Sequence, residues 1–267
     1  MTFLQFCCYY IEKMDGIIMK FQMWSLMHVL YILSPFIIFA FIYFFIRKSS
    51  DKTKYIVGII IGSLSILSIA LRNIDIFIRS GWDAEVIPLQ VCHIGSIIVG
   101  LSLILKKKWL LLVAFCFNII PAILAMVFAD SLANYDTILK IRAQTYIWGH
   151  ILIVVGALYG IIVYNNEFNK KDLFKSLFLV GSCLIVAIFC NSAFRLWFAW
   201  EPNYFYLFDY SGTPLKFLYN ALPTSTYGWF EINWLYTMSL ISVFIVAYVV
   251  LYFVAKLVSK KQKKSVI

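Results

Sequence analysis

One cysteine and three histidines hold most of the chemistry available to this otherwise apolar chain. Cys92 and His93 close the string Pro88-Leu89-Gln90-Val91-Cys92-His93, and His150 stands in Trp148-Gly149-His150. A thiol reacts as its thiolate, which a helix N-terminus favours and apolar burial opposes. An imidazole within hydrogen-bond reach can take the thiol proton and settle that balance. Proline suits the first turn of a helix, where its missing N–H is no loss, so Pro88 places Cys92 near the positive end of a helix. His93 is turned about 100° from its neighbour on such a helix, which makes His150 the better base. The residues alone leave a second possibility open, a packed cysteine beside interfacial histidines.

A metal centre competes for the same groups, since His28, His93, His150 and Asp75 are all ligand types for first-row metals. The seven-helix membrane metallohydrolases (the alkaline ceramidase and adiponectin receptor group) carry a closely spaced histidine pair on their last span. Residues 232–255 contain no histidine, so neither a metal nor another cofactor is expected. No C-x-x-C pair occurs among the six cysteines, which removes zinc-ribbon and thioredoxin readings. Cys116, Cys183 and Cys190 lie in apolar runs and read as small hydrophobic residues.

The elements that must position these groups are membrane spans. Of 267 residues, 63% are hydrophobic and 13% charged, and the mean hydropathy is +0.87, far from a soluble domain's balance. About 20 apolar residues cross the hydrocarbon core as helix. Seven runs qualify: residues 23–46, 55–78, 86–105, 109–129, 145–164, 173–196 and 232–255. The fold class expected is an all-α bundle of seven transmembrane helices. Fifteen lysines and arginines fall in residues 47–54, 106–108, 170–175 and 256–264, against seven in the alternate loops and N-terminal segment. The positive-inside rule then puts the N-terminus outside and the C-terminus in the cytoplasm. Residues 1–22 form an extracytoplasmic segment with no signal-peptide pattern. Residues 23–255 form the membrane domain, and 256–267 a basic cytoplasmic tail. The net charge of +10 sits in these short loops, so it anchors topology and implies no nucleic-acid partner. The location expected is the cytoplasmic (plasma) membrane.

Ionisable groups inside spans are costly and mostly functional. With this topology, His28, His93 and His150 all fall in the outer third of their spans. Arg72 and Asp75 share a face of the second span, three residues apart, and either pair with each other or serve a ligand. Asn191 and Arg195 share a face of the sixth, where Asn191 also reads as interhelical glue. The outer loop 197–230, with Asn203 and Tyr204, is rich in aromatics, Pro and Gly; it reads as an interfacial belt or as a cap over a site.

Three stretches resemble the YwaF-like family of bacterial integral membrane proteins: Pro88–His93; Trp148-Gly149-His150-Ile151-Leu152 through Leu158-Tyr159; and Asn191 followed by Asn203-Tyr204-Phe205-Tyr206-Leu207. His28 resembles an early histidine of that family. The likeness runs over residues 23–255. It departs where Leu89, Gln90 and Val91 separate Pro88 from Cys92, and where Phe128-Ala129-Asp130 keeps part of a Thr-Pro-Asp string. The family is similar to eukaryotic transmembrane protein 164, described as a lipid acyltransferase using a cysteine and a histidine. The resemblance implies Cys92 as acyl-accepting nucleophile and His150 as its base. His28, Arg72, Asp75 and His93, with Asn191, Arg195, Asn203 and Tyr204, make up the expected substrate-contacting set. In it the arginines face a lipid phosphate and an asparagine donates to the oxyanion. The partner expected is a membrane lipid. The alternative is a non-enzymatic protein that binds or transports a small anion or lipid in the same pocket, with Cys92 merely structural.

Overall fold

The structure is a computed structural model, and it describes residues 20–164, 166–208, 210, 215–221, 226–227, 230–231 and 233–264. Residues 1–19 of the expected outer segment lie outside the described residues, with Cys7 and Cys8. So do parts of loop 197–230 and the last three residues of the tail.

Helix α1 spans Leu26–Ile46, capped by Ser25, whose hydroxyl accepts from the His28 amide. Pro35 inside it has no N–H for the Tyr31 carbonyl; the Ser34 hydroxyl donates there instead, at 2.7 Å. Helix α2 (Asp51–Ser80) starts at a Ser50 cap, and α3 is Val91–Leu105. Helices α4 (Lys108–Cys116) and α5 (Ile119–Val127) follow, then the short α6 (Asp130–Ala133) and α7 (Ile141–Ile162). Helix α8 (Lys170–Phe198) opens on a capping box of Asn169 and Asp172. A 3-10 turn (Tyr204–Tyr206), α9 (Lys216–Ala221), a two-residue antiparallel strand pair and α10 (Trp234–Lys264) complete the chain.

Six of these elements are long and apolar enough to cross a membrane: α1, α2, α4 with α5, α7, α8 and α10. Two expectations need correction. The third run begins at Val91 rather than 86, with Pro88 in the preceding loop. At 15 residues the helix is about 22 Å long, short of the roughly 30 Å hydrocarbon core. The fourth run is not one helix. Pro121 offers Phe117 no N–H and crowds its carbonyl, so the chain breaks at Phe117–Asn118, and the Asn118 side-chain Nδ2 donates to the Val113 carbonyl.

Helix α7 is the hub, packing against α1, α2, α3, α4 and α5. Small residues bring backbones together at the α2–α3 contact. A Cβ built on Gly62 would stand 2.8 Å from the Gly100 carbonyl oxygen, and a carbonyl in a helix cannot step aside. Gly62→Ala is therefore expected to destabilise the bundle by about 1–3 kcal/mol, read as a lower melting temperature in detergent. Gly181→Ala, where a Cβ meets nothing within 4 Å, should leave the melting temperature unchanged.

Candidate functional site

Two tyrosines fasten the far end of α3, and a third fastens the start of α2 beside it. Tyr55 donates to the Ile104 carbonyl, Tyr164 to Leu103 and Tyr159 to Lys54. Anchored there and only 15 residues long, α3 ends inside the bundle. The cavity at its N-terminus is walled on α2 by Ser68, Ile69 and Arg72. These lie eight to twelve residues before α2 ends at Ser80, roughly 12–18 Å along the helix. The cavity holds about 630 Å³.

Cys92, His93, His150 and Arg72 all line it, as do Arg195, Asn203 and Tyr204. Cys92 is the second residue of α3, and the first bond of that helix runs from the Ile94 amide to the Gln90 carbonyl. The amides of Cys92 and His93 therefore have no acceptor within the helix, and both approach the Cys92 sulfur. His150 Nδ1 lies 2.7 Å from the Tyr146 carbonyl. A carbonyl only accepts, so that nitrogen carries the proton and Nε2 presents a lone pair. Nε2 is buried and has no hydrogen-bond partner, and the same holds for His93 Nδ1. Thiol and imidazole thus share the cavity without being hydrogen-bonded to each other.

The Arg72 guanidinium is turned toward the loop that precedes α3. It donates to the Glu85 carbonyl at 2.8 Å and stands 3.7 Å from the Glu85 carboxylate. Arg142 pairs with the same carboxylate from α7. Arg195 lies 5.1 Å from the Phe208 ring centroid in a cation–π contact. Burial pushes the Tyr206 phenol up to about 12, so it faces the cavity as a neutral hydrogen-bond donor.

Three expected contacts stand elsewhere. His28 is fully buried. Its Nδ1 accepts from the Trp24 amide at 2.9 Å, and its Nε2 meets the Met126 carbonyl at 2.8 Å. With both nitrogens engaged by backbone, the ring ties α1 to α5. Asp75 pairs with Arg79 at 2.8 Å and not with Arg72. Asn191 grips the backbone of Tyr204: its amide donates to the Tyr204 carbonyl at 3.0 Å, and its oxygen accepts from the Tyr204 N–H at 2.7 Å. Asn203 Oδ1 accepts from the Phe208 amide. Both asparagines expected as oxyanion donors thus have side-chain atoms engaged with backbone.

Gln90, the N-cap of α3, is a positioning residue that sequence reasoning missed. Its side chain does not cap the helix. It donates to the Asn203 carbonyl and accepts from the Phe205 amide, joining Cys92's helix to the 3-10 turn. Phe205 and Tyr206 adopt φ of 60° and 55°, a region unfavourable for bulky side chains, and the Gln90 and Asn191 clamps hold them there. Asn191→Leu strands two buried backbone groups at about 1–3 kcal/mol each. Expected are a lower melting temperature and faster proteolysis after Tyr204; protease resistance equal to wild type would contradict the clamp. Among the described residues no group of three His, Cys, Asp or Glu side chains is placed to hold a metal ion.

A bundle of long apolar helices enclosing a recessed, polar, thiol- and imidazole-lined cavity defines a multi-pass membrane protein with an internal site. The model of the TMEM164 family matches residues 18–252, and the chain belongs to that family. No curated protein and no solved structure matches it.

Proposed function

We propose that this protein, a relative of the bacterial YwaF-like proteins, transfers or hydrolyses acyl groups of a membrane lipid at Cys92, with His150 as the base. The supporting observation is the cavity, which gathers Cys92 at the amide-rich start of α3, the open Nε2 of His150, and three guanidiniums. In this reading α3 is a short seventh span. The 15-to-7 distribution of basic residues supports an N-terminus outside the cytoplasmic membrane, and in that orientation the cavity serves the outer leaflet.

His150 Nε2 takes the thiol proton, directly or through one water, and a polar cavity of this size has room for one. The sulfur attacks the ester carbonyl carbon, forming a C–S bond. The Cys92 and His93 amides stabilise the oxyanion. The C–O bond then breaks, and the leaving alkoxide receives the proton held by His150. In the second half a hydroxyl of the acceptor, or water, gives its proton to His150 and attacks the thioester. The new C–O bond forms, the C–S bond breaks, and the thiolate recovers the proton.

The test is an intact-mass measurement on protein in nanodiscs given phosphatidylcholine with alkyne-bearing chains. A hydroxylamine-labile acyl adduct on wild type that vanishes in Cys92→Ala is the expected result. Absence of the adduct, with unchanged lipid profiles in cells expressing wild type, Cys92→Ala or His150→Ala, would sink the enzyme. The alternative, non-enzymatic binding or transport of a small anion or lipid, draws support from Arg72 and Arg142 converging on one carboxylate. In that case Cys92→Ser leaves anion binding intact and no adduct forms on any variant.

A further inference from the structure

A second cavity, of about 310 Å³, lies between α8, α10 and the α4–α5 break. That is the lower end of the range of about 300–1,000 Å³ for ligand pockets. Its walls include Phe117, Leu184 and Phe244, and apart from Gly181 and Tyr248 every lining residue is an apolar side chain. Helices α8 and α10 each pack on α4 and not closely on each other. Ile245, at the cavity, is 51% exposed on the outer face of the bundle, so the space opens sideways toward hydrocarbon. Water gains nothing in such a space, since it needs polar partners.

The two cavities share a wall, the strained turn described above. Tyr204 and Tyr206 line the polar cavity, whereas Phe205 and Leu207 line the apolar one. A lipid ester has the same polarity sequence, with headgroup and carbonyls next to a hydrocarbon chain. We propose that the apolar cavity holds one hydrocarbon chain of a membrane lipid whose ester group reaches the Cys92 cavity past the Tyr204–Leu207 turn. This rests on the acyl-transfer reading for the ester's fate, and on the cavity alone for the chain's place. A chain leaving bilayer for cavity stays in an apolar medium, so close packing rather than the hydrophobic effect holds it. Shape therefore decides occupancy, and Gly181 leaves space that a bulky side chain would fill. A Cβ built there meets no atom within 4 Å.

The test uses phosphatidylcholine nanodiscs containing a phosphatidylcholine with a diazirine midway along one chain, with crosslinks mapped by peptide mass spectrometry. Wild type should crosslink at Leu184 and Phe244 in excess of Phe41, a lipid-facing residue of α1 that is 65% exposed. Gly181→Trp should lower the Leu184 and Phe244 signal at least about tenfold and leave Phe41 labelling unchanged, which also reports correct insertion. Gly181→Ala should label like wild type. Cavity-wall labelling that is equal in Gly181→Trp and wild type, or no greater than at Phe41, overturns the proposal. Cys92→Ala should keep the labelling. If it does so while wild type forms no acyl adduct, the chain site stands and the chemistry falls.

Discussion

Replacing His150 with glutamine is expected to slow acyl-adduct formation by about 10²–10⁴-fold, the usual worth of a positioned base, with little change in the lipid concentration that saturates the reaction. The expectation rests on one hydrogen bond. The Tyr146 carbonyl accepts from His150 Nδ1, which leaves the lone pair of Nε2 facing a cavity where nothing else binds it. Glutamine keeps bulk and polarity but accepts no proton at neutral pH. His93 is the control that discriminates. It is buried in the same cavity, with Nδ1 unpartnered, yet it follows Cys92 directly on α3 and its ring is turned about 100° away. His93→Gln should therefore cost less than about tenfold. A larger loss in His93→Gln than in His150→Gln would transfer the role of base to His93. Wild-type rates in both would remove acid–base chemistry from the site.

The sequence carries the site's depth far better than its wiring. Cys92, His93, His150, Arg72 and Arg195 reach one cavity because spans alternate in direction. Residues near the start of α3 and α7 then meet residues near the end of α2 and α8, which counting apolar runs already shows. The start of α3 was hidden because Val86, Ile87 and Leu89 are as apolar as a helix interior. Backbone without helix is tolerated at that depth only where protein encloses it, and enclosure is a tertiary property. The signal for the α4–α5 break was present in Pro121. For Asp75, Arg72 at three residues and Arg79 at four are both in reach, so spacing could not choose between them. Other contacts join residues far apart in the chain: His28 with Met126, Glu85 with Arg142 and Gln90 with Asn203. Spacing along the chain therefore gives Arg142 and Glu85 no sign of their pairing. The strained turn carried no warning either, since residues 204–206 contain no glycine to announce a positive φ.

Arg72→Ala should raise the KM for a phospholipid substrate by about thirtyfold or more while leaving kcat within a few-fold. Removing one partner of a buried, hydrogen-bonded charge pair costs about 2–5 kcal/mol of binding, and the Arg72 side chain is only 19% exposed. Without a ligand its guanidinium leans on Glu85, which Arg142 holds from the other side. A headgroup phosphate carries the same charge as that carboxylate and accepts in the same forked geometry, so it competes for the two guanidiniums. Such a contact is present equally before and during bond making, so its loss falls on KM rather than kcat. Arg72→Lys should recover only part of the affinity, because an ammonium lacks the planar fork. Asp75→Asn, three residues along the same helix, should change KM less than about twofold, since Asp75 engages Arg79 and does not line the cavity. A fall in kcat at constant KM would mean instead that Arg72 meets charge that develops only during the reaction. An unchanged KM in Arg72→Ala would place the headgroup elsewhere, leaving Arg142 and Arg195 as the remaining cationic walls of the cavity.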